Sequence, residues 1–85
     1  MTSRTLKARV IVTLKAGILD PQGKAIEGAL KSLEMGGIED VRQGKVFEMD
    51  VAAETAAAAE TMVKGACEKL LANLIVEDYR IEILS

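Results

Sequence analysis

Residues 15–24 read Lys15-Ala16-Gly17-Ile18-Leu19-Asp20-Pro21-Gln22-Gly23-Lys24, and this stretch separates two kinds of periodicity. Before it, Leu6, Ala8, Val10, Val12 and Leu14 alternate with Lys7, Arg9, Ile11 and Thr13. Period two with β-branched residues predicts a half-buried strand over Leu6–Leu14. After it, Ile26, Ala29, Leu30 and Leu33 recur at helical spacing. Asp20-Pro21 marks the join, because an Asp carboxylate caps free N–H groups and proline is tolerated at the first helical position.

Outward from this corner, Gly36-Gly37 reads as the end of the first helix. Ile38 to Arg42 is a short candidate strand. Gln43-Gly44 follows as a turn whose glycine suits a hairpin with positive φ. Lys45 to Val51 alternates, with Phe47, Met49 and Val51 on one side. The alanine-rich run from about Ala53 to Ala72 predicts a second helix with an apolar face of Ala59, Met62, Val63, Ala66, Cys67, Leu70 and Leu71. Asn73 is placed to end it in a left-handed conformation. Ile75 to Leu84 is β-rich, with Tyr79, Ile81 and Ile83 in one register.

Strand, helix, strand, strand, helix, strand is the order of an α+β, ferredoxin-like βαββαβ domain, an antiparallel sheet with two helices on one face. Residues 1–85 read as one such domain. In its usual strand order the first strand lies antiparallel between the third and the fourth. A register that sets Arg9 opposite Glu48 also sets Lys7 opposite Asp50 and Ile11 opposite Val46. That outer face is ion-paired with an apolar centre, and is either solvated or covered by a second subunit.

Composition narrows the function. Eighty-five residues bury roughly 60–65% of their unfolded surface, so association helps such a chain. Nearly half the residues are hydrophobic, but Phe47 and Tyr79 are the only aromatics, so the core is aliphatic, with Met35, Met49 and Met62 as gap-fillers. A net charge of −2 with scattered Lys and Arg argues against nucleic acid. The absence of histidine removes the commonest general base and metal ligand. A lone Cys67 cannot form an internal disulfide and suits a reducing compartment. With no secretory or membrane-spanning stretch, the expectation is a cytoplasmic protein without membrane contact.

No candidate site assembles a reaction. The corner offers an anion the N–H groups of a helix start, flanked by Lys15 and Lys24, but Asp20 competes for those donors and no phosphate-loop pattern is present. Cys67 lies on an apolar helix face without a basic neighbour, which reads as a structural thiol. Glu77 and Asp78 point to opposite sides of a strand and cannot share a proton. Gly44-Lys45 is an exposed turn with a cation. Tyr79 is either core filler or an interface anchor. No catalytic residue and no metal ligand set is expected, and the residues describe a binding or assembly module.

Three segments resemble the PurS family, the small subunit of bacterial and archaeal phosphoribosylformylglycinamidine synthase. They are Leu14 to Gly23 followed by Ala25-Ile26, then Val41-Arg42-Gln43-Gly44-Lys45, then Leu70 to Tyr79. Their order and spacing match the family over nearly the whole chain, with one departure, Leu74 where the family commonly has proline. The resemblance implies a subunit without an active site or bound cofactor, acting in de novo purine synthesis. There the complex converts formylglycinamide ribonucleotide, glutamine and ATP to formylglycinamidine ribonucleotide, glutamate, ADP and phosphate. It implies a homodimer or homotetramer that bridges the glutaminase PurQ to the synthetase PurL, which holds ATP and magnesium, and that assists ammonia transfer. By the match, partner contacts fall at Lys15, Gly17, Asp20, Gln22, Arg42, Gly44, Lys45, Asn73, Glu77 and Tyr79. The rival from another class is a homodimeric regulatory module similar to ACT domains, sensing a small ligand at the Gly17–Gly23 loop. An independent enzyme using Asp20 or Glu77 lacks the catalytic partners it needs.

Overall fold

A computed structural model of the chain describes residues 4–84. The alternating run becomes β1 (Arg4–Leu14), with Leu6, Ala8, Val10 and Val12 buried on one face. Then come α1 (Pro21–Ser32), β2 (Gly44–Ala53), α2 (Ala56–Ala66) and β3 (Glu77–Ile83). The sheet runs β2-β1-β3, antiparallel throughout, so β1 is central as expected. Its register pairs Arg9 with Glu48, Lys7 with Asp50 and Ile11 with Val46, as the sequence predicts.

The outer face is a lattice of ion pairs. Lys7 meets Asp50 at 2.7 Å, Arg9 meets Glu48 at 3.0 Å and Glu82 at 3.4 Å, and Arg80 meets Glu82 at 3.5 Å. Exposed pairs of this kind add little stability. The inner face supplies the stability. Val10, Val12, Val63 and Cys67 are the largest fully buried side chains, and Phe47, Met49, Tyr79, Ile81 and Ile83 pack around them half-buried.

α2 starts at Thr55, whose hydroxyl accepts from Ala58 N–H at 3.0 Å. It lays one narrow row on the sheet, Ala59, Val63 and Cys67. Its last turn widens over Cys67–Leu71, where Ala72 N–H reaches back to the Cys67 carbonyl at 3.0 Å. That extra residue rotates the face, so Leu71 is half-buried while Leu70 is 83% exposed. Met62 and Ala66, expected on the buried face, are exposed as well, and so is Met35, leaving Met49 as the packing methionine among the three.

The α+β class and ferredoxin-like element order stand, with two departures from the ideal arrangement. Residues 38–43 form no strand, so the sheet has three strands among the described residues. Without that strand to turn the chain back, α1 buries only Gly23 and stands clear of the sheet, which α2 alone covers. The helix also stops earlier than Gly36-Gly37. Glu34 adopts the left-handed conformation at φ 64°, its N–H donating to Lys31 O and Met35 N–H donating to Leu30 O. Those are the two bonds of a Schellman stop, made without glycine. The result is elongated, 58 × 25 × 14 Å, with a radius of gyration of 16.8 Å. A compact chain of this length has about 12 Å.

Candidate functional site

The expected contact residues converge on one end of the sheet, where β1 leaves for α1 and where β2 and β3 begin. Asp20 organises it. Its Oδ1 accepts from Gly23 N–H at 2.9 Å, capping α1, and its Oδ2 accepts from Gln43 N–H at 2.6 Å, tying the corner to the start of β2. Asp20 is 6% exposed. The Gln43 and Gly23 N–H groups hold its carboxyl below the usual range, against the opposing effect of burial. The donors an anion would use are therefore occupied, as the capping argument predicts.

Around Asp20 the contacts lock three segments together. Arg42 donates to the Lys15 carbonyl at 3.0 Å and, more weakly, to the Leu14 carbonyl at 3.4 Å. The Gln43 side chain donates to Gln22 Oε1 at 2.7 Å. Lys15 N–H donates to Val76 O at 2.8 Å, and Lys15 Nζ meets Asp78 at 2.7 Å. Gly17 takes φ 88°, a conformation that favours glycine. Gly23 is required for another reason, because a Cβ there would strike the Val41 carbonyl oxygen and approach Asp20 Oδ2 to 2.9 Å.

Gly44 differs from expectation. It is no hairpin residue with positive φ; it opens β2, where a Cβ would lie 2.5 Å from the Val12 carbonyl oxygen. Close approach of strand to strand demands the glycine. Asn73 likewise adopts no left-handed cap. Its Oδ1 accepts from Ile75 N–H at 3.1 Å and its carbonyl accepts from Val76 and Glu77 N–H, closing a tight turn. Glu77 Oε1 accepts from Asn73 N–H at 2.7 Å, and Glu77 Oε2 faces Lys45 at 3.6 Å. Leu74, the departure from the family pattern, sits inside this turn and is 45% exposed. The exit from α2 thus rests on Asn73 and Glu77.

Asp20, Gln22, Gly44, Lys45 and Glu77 line one shallow hollow of about 240 Å³, and Gly17 and Arg42 line another of about 500 Å³ on the other side of the corner. Tyr79 stands apart from both. It is half-buried on β3, and its hydroxyl donates to Glu68 Oε2 at 3.2 Å. Burial and then Glu68 raise its pKa. Burial, with Glu68 beside it, also pushes the Cys67 thiol up, which is the chemistry of a structural cysteine.

Sequence reasoning missed Glu27 and Gln43. Glu27 accepts from Val41 N–H at 3.4 Å and lies 3.5 Å from Lys31 and 3.9 Å from Lys24. Burial raises its carboxyl, but the Val41 N–H and the two ammonium groups outweigh that and hold it low. The signal was present as a carboxylate with lysines three residues before and four after it on a helix. The contact of Gln43 with Asp20 left no local trace. Among the described residues, no three His, Cys, Asp or Glu side chains are placed to hold a metal. No helix among them is long and apolar enough to cross a membrane.

The chain's likeness to known proteins agrees with this picture. The sequence profile of the family described as PurS, phosphoribosylformylglycinamidine (FGAM) synthase, matches residues 7–85. The PurS subunit of that synthase from Bacillus subtilis (strain 168) is 44% identical over 77 residues, covering 91% of this chain and 90% of that one. The Mycobacterium leprae (strain TN) subunit is 48% identical over 75 residues, covering 88% and 91%. In three dimensions the chain is similar to the PurS subunit of Thermotoga maritima, with a TM-score of 0.90 at 32% identity over 99% of this chain and 97% of that one. It is also similar to a chain in the structure of PurLQS from Thermotoga maritima, with a TM-score of 0.88 at 33% identity over 95% and 99%.

Proposed function

From the premise that this chain belongs to the PurS family and is the PurS subunit of FGAM synthase, we propose that it is a non-catalytic bridge between a PurL synthetase and a PurQ glutaminase. In this reading it forms a cytoplasmic homodimer or homotetramer, binds no cofactor itself, and assists ammonia passage. ATP and magnesium belong to the synthetase. The observation that carries the proposal is the unfinished packing of α1. Leu19, Ile26, Leu33 and Met35 are 41–69% exposed on an arm clear of the sheet. A chain that stops short of burying its own helix is built to be completed by another. The family match leaves nothing in favour of the ligand-sensing alternative.

The corner is the contact we assign to the larger subunits. Asp20, Gly44, Arg42, Asn73 and Glu77 are spent on its internal geometry, and Gly17 on its turn. Gln22 and Lys45 are left exposed on its surface, with Lys15 half-exposed and Tyr79 flanking. Reconstitution with PurL and PurQ tests the bridge. Adding this chain should raise synthesis with glutamine as nitrogen source and leave synthesis with free ammonium little changed. Equal glutamine-dependent activity without it would overturn the proposal.

A further inference from the structure

β3 has a neighbour on one side only, so it ends the sheet. Leu84 N–H donates to Lys7 O at 2.7 Å, and Lys15 N–H donates to Val76 O at 2.8 Å. These bonds fix the parity of the antiparallel ladder. Even-numbered residues of β3 turn their backbone groups toward β1, and Tyr79, Ile81 and Ile83 turn theirs to the open edge. Natural edges are blunted by proline, bulges or inward charges. β3 has no proline, its pairing with β1 runs without a bulge from Glu77 to Ile83, and past Glu77 its inner-face side chains are Tyr79, Ile81 and Ile83.

We propose that β3 is the seam of a twofold dimer, pairing antiparallel with β3 of a second copy about an axis through Ile81. The inference rests on the homo-oligomer reading above and assigns its surface. In this register Ile81 lies opposite itself and Tyr79 opposite Ile83, so the inner faces continue as one apolar surface. The odd-numbered pairs exchange the N–H···O bonds that the edge leaves open. On the outer face Arg80 falls opposite Glu82 in both directions. These are the closely spaced pairs, where opposite charges stabilise a sheet. Arg80 is free to reach, with its side chain 69% exposed and only a 3.5 Å contact to its own Glu82. The row Glu48–Arg9–Glu82 is then extended by Arg80 of the second copy, alternating in sign across the seam.

Other registers fit less well. An axis through Arg80 sets that arginine against itself and Asp78 against Glu82. An axis through Tyr79 also faces Arg80 with Asp78, but that Asp78 is held by Lys15 at 2.7 Å, and the register sets Glu77, committed to Asn73 and Lys45, against the apolar Ile81. The opposite edge, β2, carries Glu48 and Asp50 but no cation on its outer face, so no twofold register there gives an opposite-charge pair.

Sedimentation of purified Arg80→Glu and Glu82→Arg variants tests the seam. Each alone places like charges across it twice and should weaken dimerisation by about tenfold or more. Mixing the two should restore a dimer, because one then carries only acids and the other only arginines at these positions. Separately, Ile81→Cys should form a covalent dimer on mild oxidation, since bonded antiparallel pairs bring Cα atoms to about 5.5 Å, within disulfide range. Wild type, with Cys67 buried, should not. A wild-type dimer indifferent to both reversals and uncross-linked in the Ile81→Cys variant overturns the seam while the homo-oligomer reading stands. A monomeric wild type overturns both.

Discussion

Two glycines on α1 make opposite predictions for the same substitution. At Gly28 an added Cβ meets nothing within 4 Å, so Gly28→Ala gains only helix propensity and reduced unfolded-state freedom, about 0.5–1 kcal/mol. At Gly23 the added Cβ strikes the Val41 carbonyl and crowds Asp20 Oδ2. Overpacking against backbone typically costs about 1–3 kcal/mol, and the propensity gain returns up to about 1, leaving Gly23→Ala destabilising by roughly 1–2 kcal/mol. Because α1 stands clear of the sheet, the loss should appear as local opening of the helix before global unfolding. Amide hydrogen exchange across residues 24–33 is the suitable assay, at fixed protein concentration so that association does not contribute. Protection should rise about 2–5-fold in Gly28→Ala and fall about 5–30-fold in Gly23→Ala. If Gly23→Ala protects α1 as well as Gly28→Ala does, the close approach of α1 to Val41 is not what fixes the corner.

Acid should loosen the same corner. Asp20 and Glu27 are held below their ordinary values of 3.8 and 4.5, so the folded chain binds fewer protons than the unfolded one. The stability they contribute is full above those ordinary values and is lost as pH falls through the lower folded ones. Exchange-monitored opening of α1 should follow that window and show less pH dependence in Asp20→Asn. Leu74 occupies the second position of the turn Asn73–Val76, where proline is favoured, so Leu74→Pro should stabilise the chain by about 0.4–1 kcal/mol in urea titration. A loss instead would mean the turn needs the Leu74 side chain or N–H. Cys67 should resist thiol reagents at mildly alkaline pH until the chain unfolds, and rapid labelling of native protein would contradict its burial.

Much of this was legible in the sequence. The alternation of β1 gave the buried face and excluded any one-residue slip, which would have turned every aliphatic outward, and the pairing of Lys7 with Asp50 and Arg9 with Glu48 chose the β1–β2 register among those that remained. Asp20-Pro21 placed the start of α1 correctly. What failed were inferences from glycine and from apolar spacing. Gly44 reads like a turn residue, yet the Val12 carbonyl, far away in sequence, is what excludes a side chain there. Met62 and Leu70 have helical spacing, but a three-stranded sheet offers α2 room for one row, and the widened turn at Cys67–Leu71 moves Leu70 off it. Half of the corner was hidden for a similar reason. The Asp20–Gln43 bond spans 23 residues, and no local pattern records such a contact.

The corner and the exposed arm have to be considered together. A helix of twelve residues with glycines at positions 23 and 28 has little stability of its own in water. It does not borrow stability from the sheet, because α2 occupies that face. What holds it in place is polar: Asp20 at its start, Glu27 on Val41 N–H, and Gln22 with Gln43. Such contacts fix direction well but stabilise weakly, since each exchanges one hydrogen bond for another with water. A helix needed only for folding would be secured by burying its apolar stripe. One that is aimed by polar bonds while Ile26 and Leu33 stay in solvent is positioned for a surface that this chain does not itself provide.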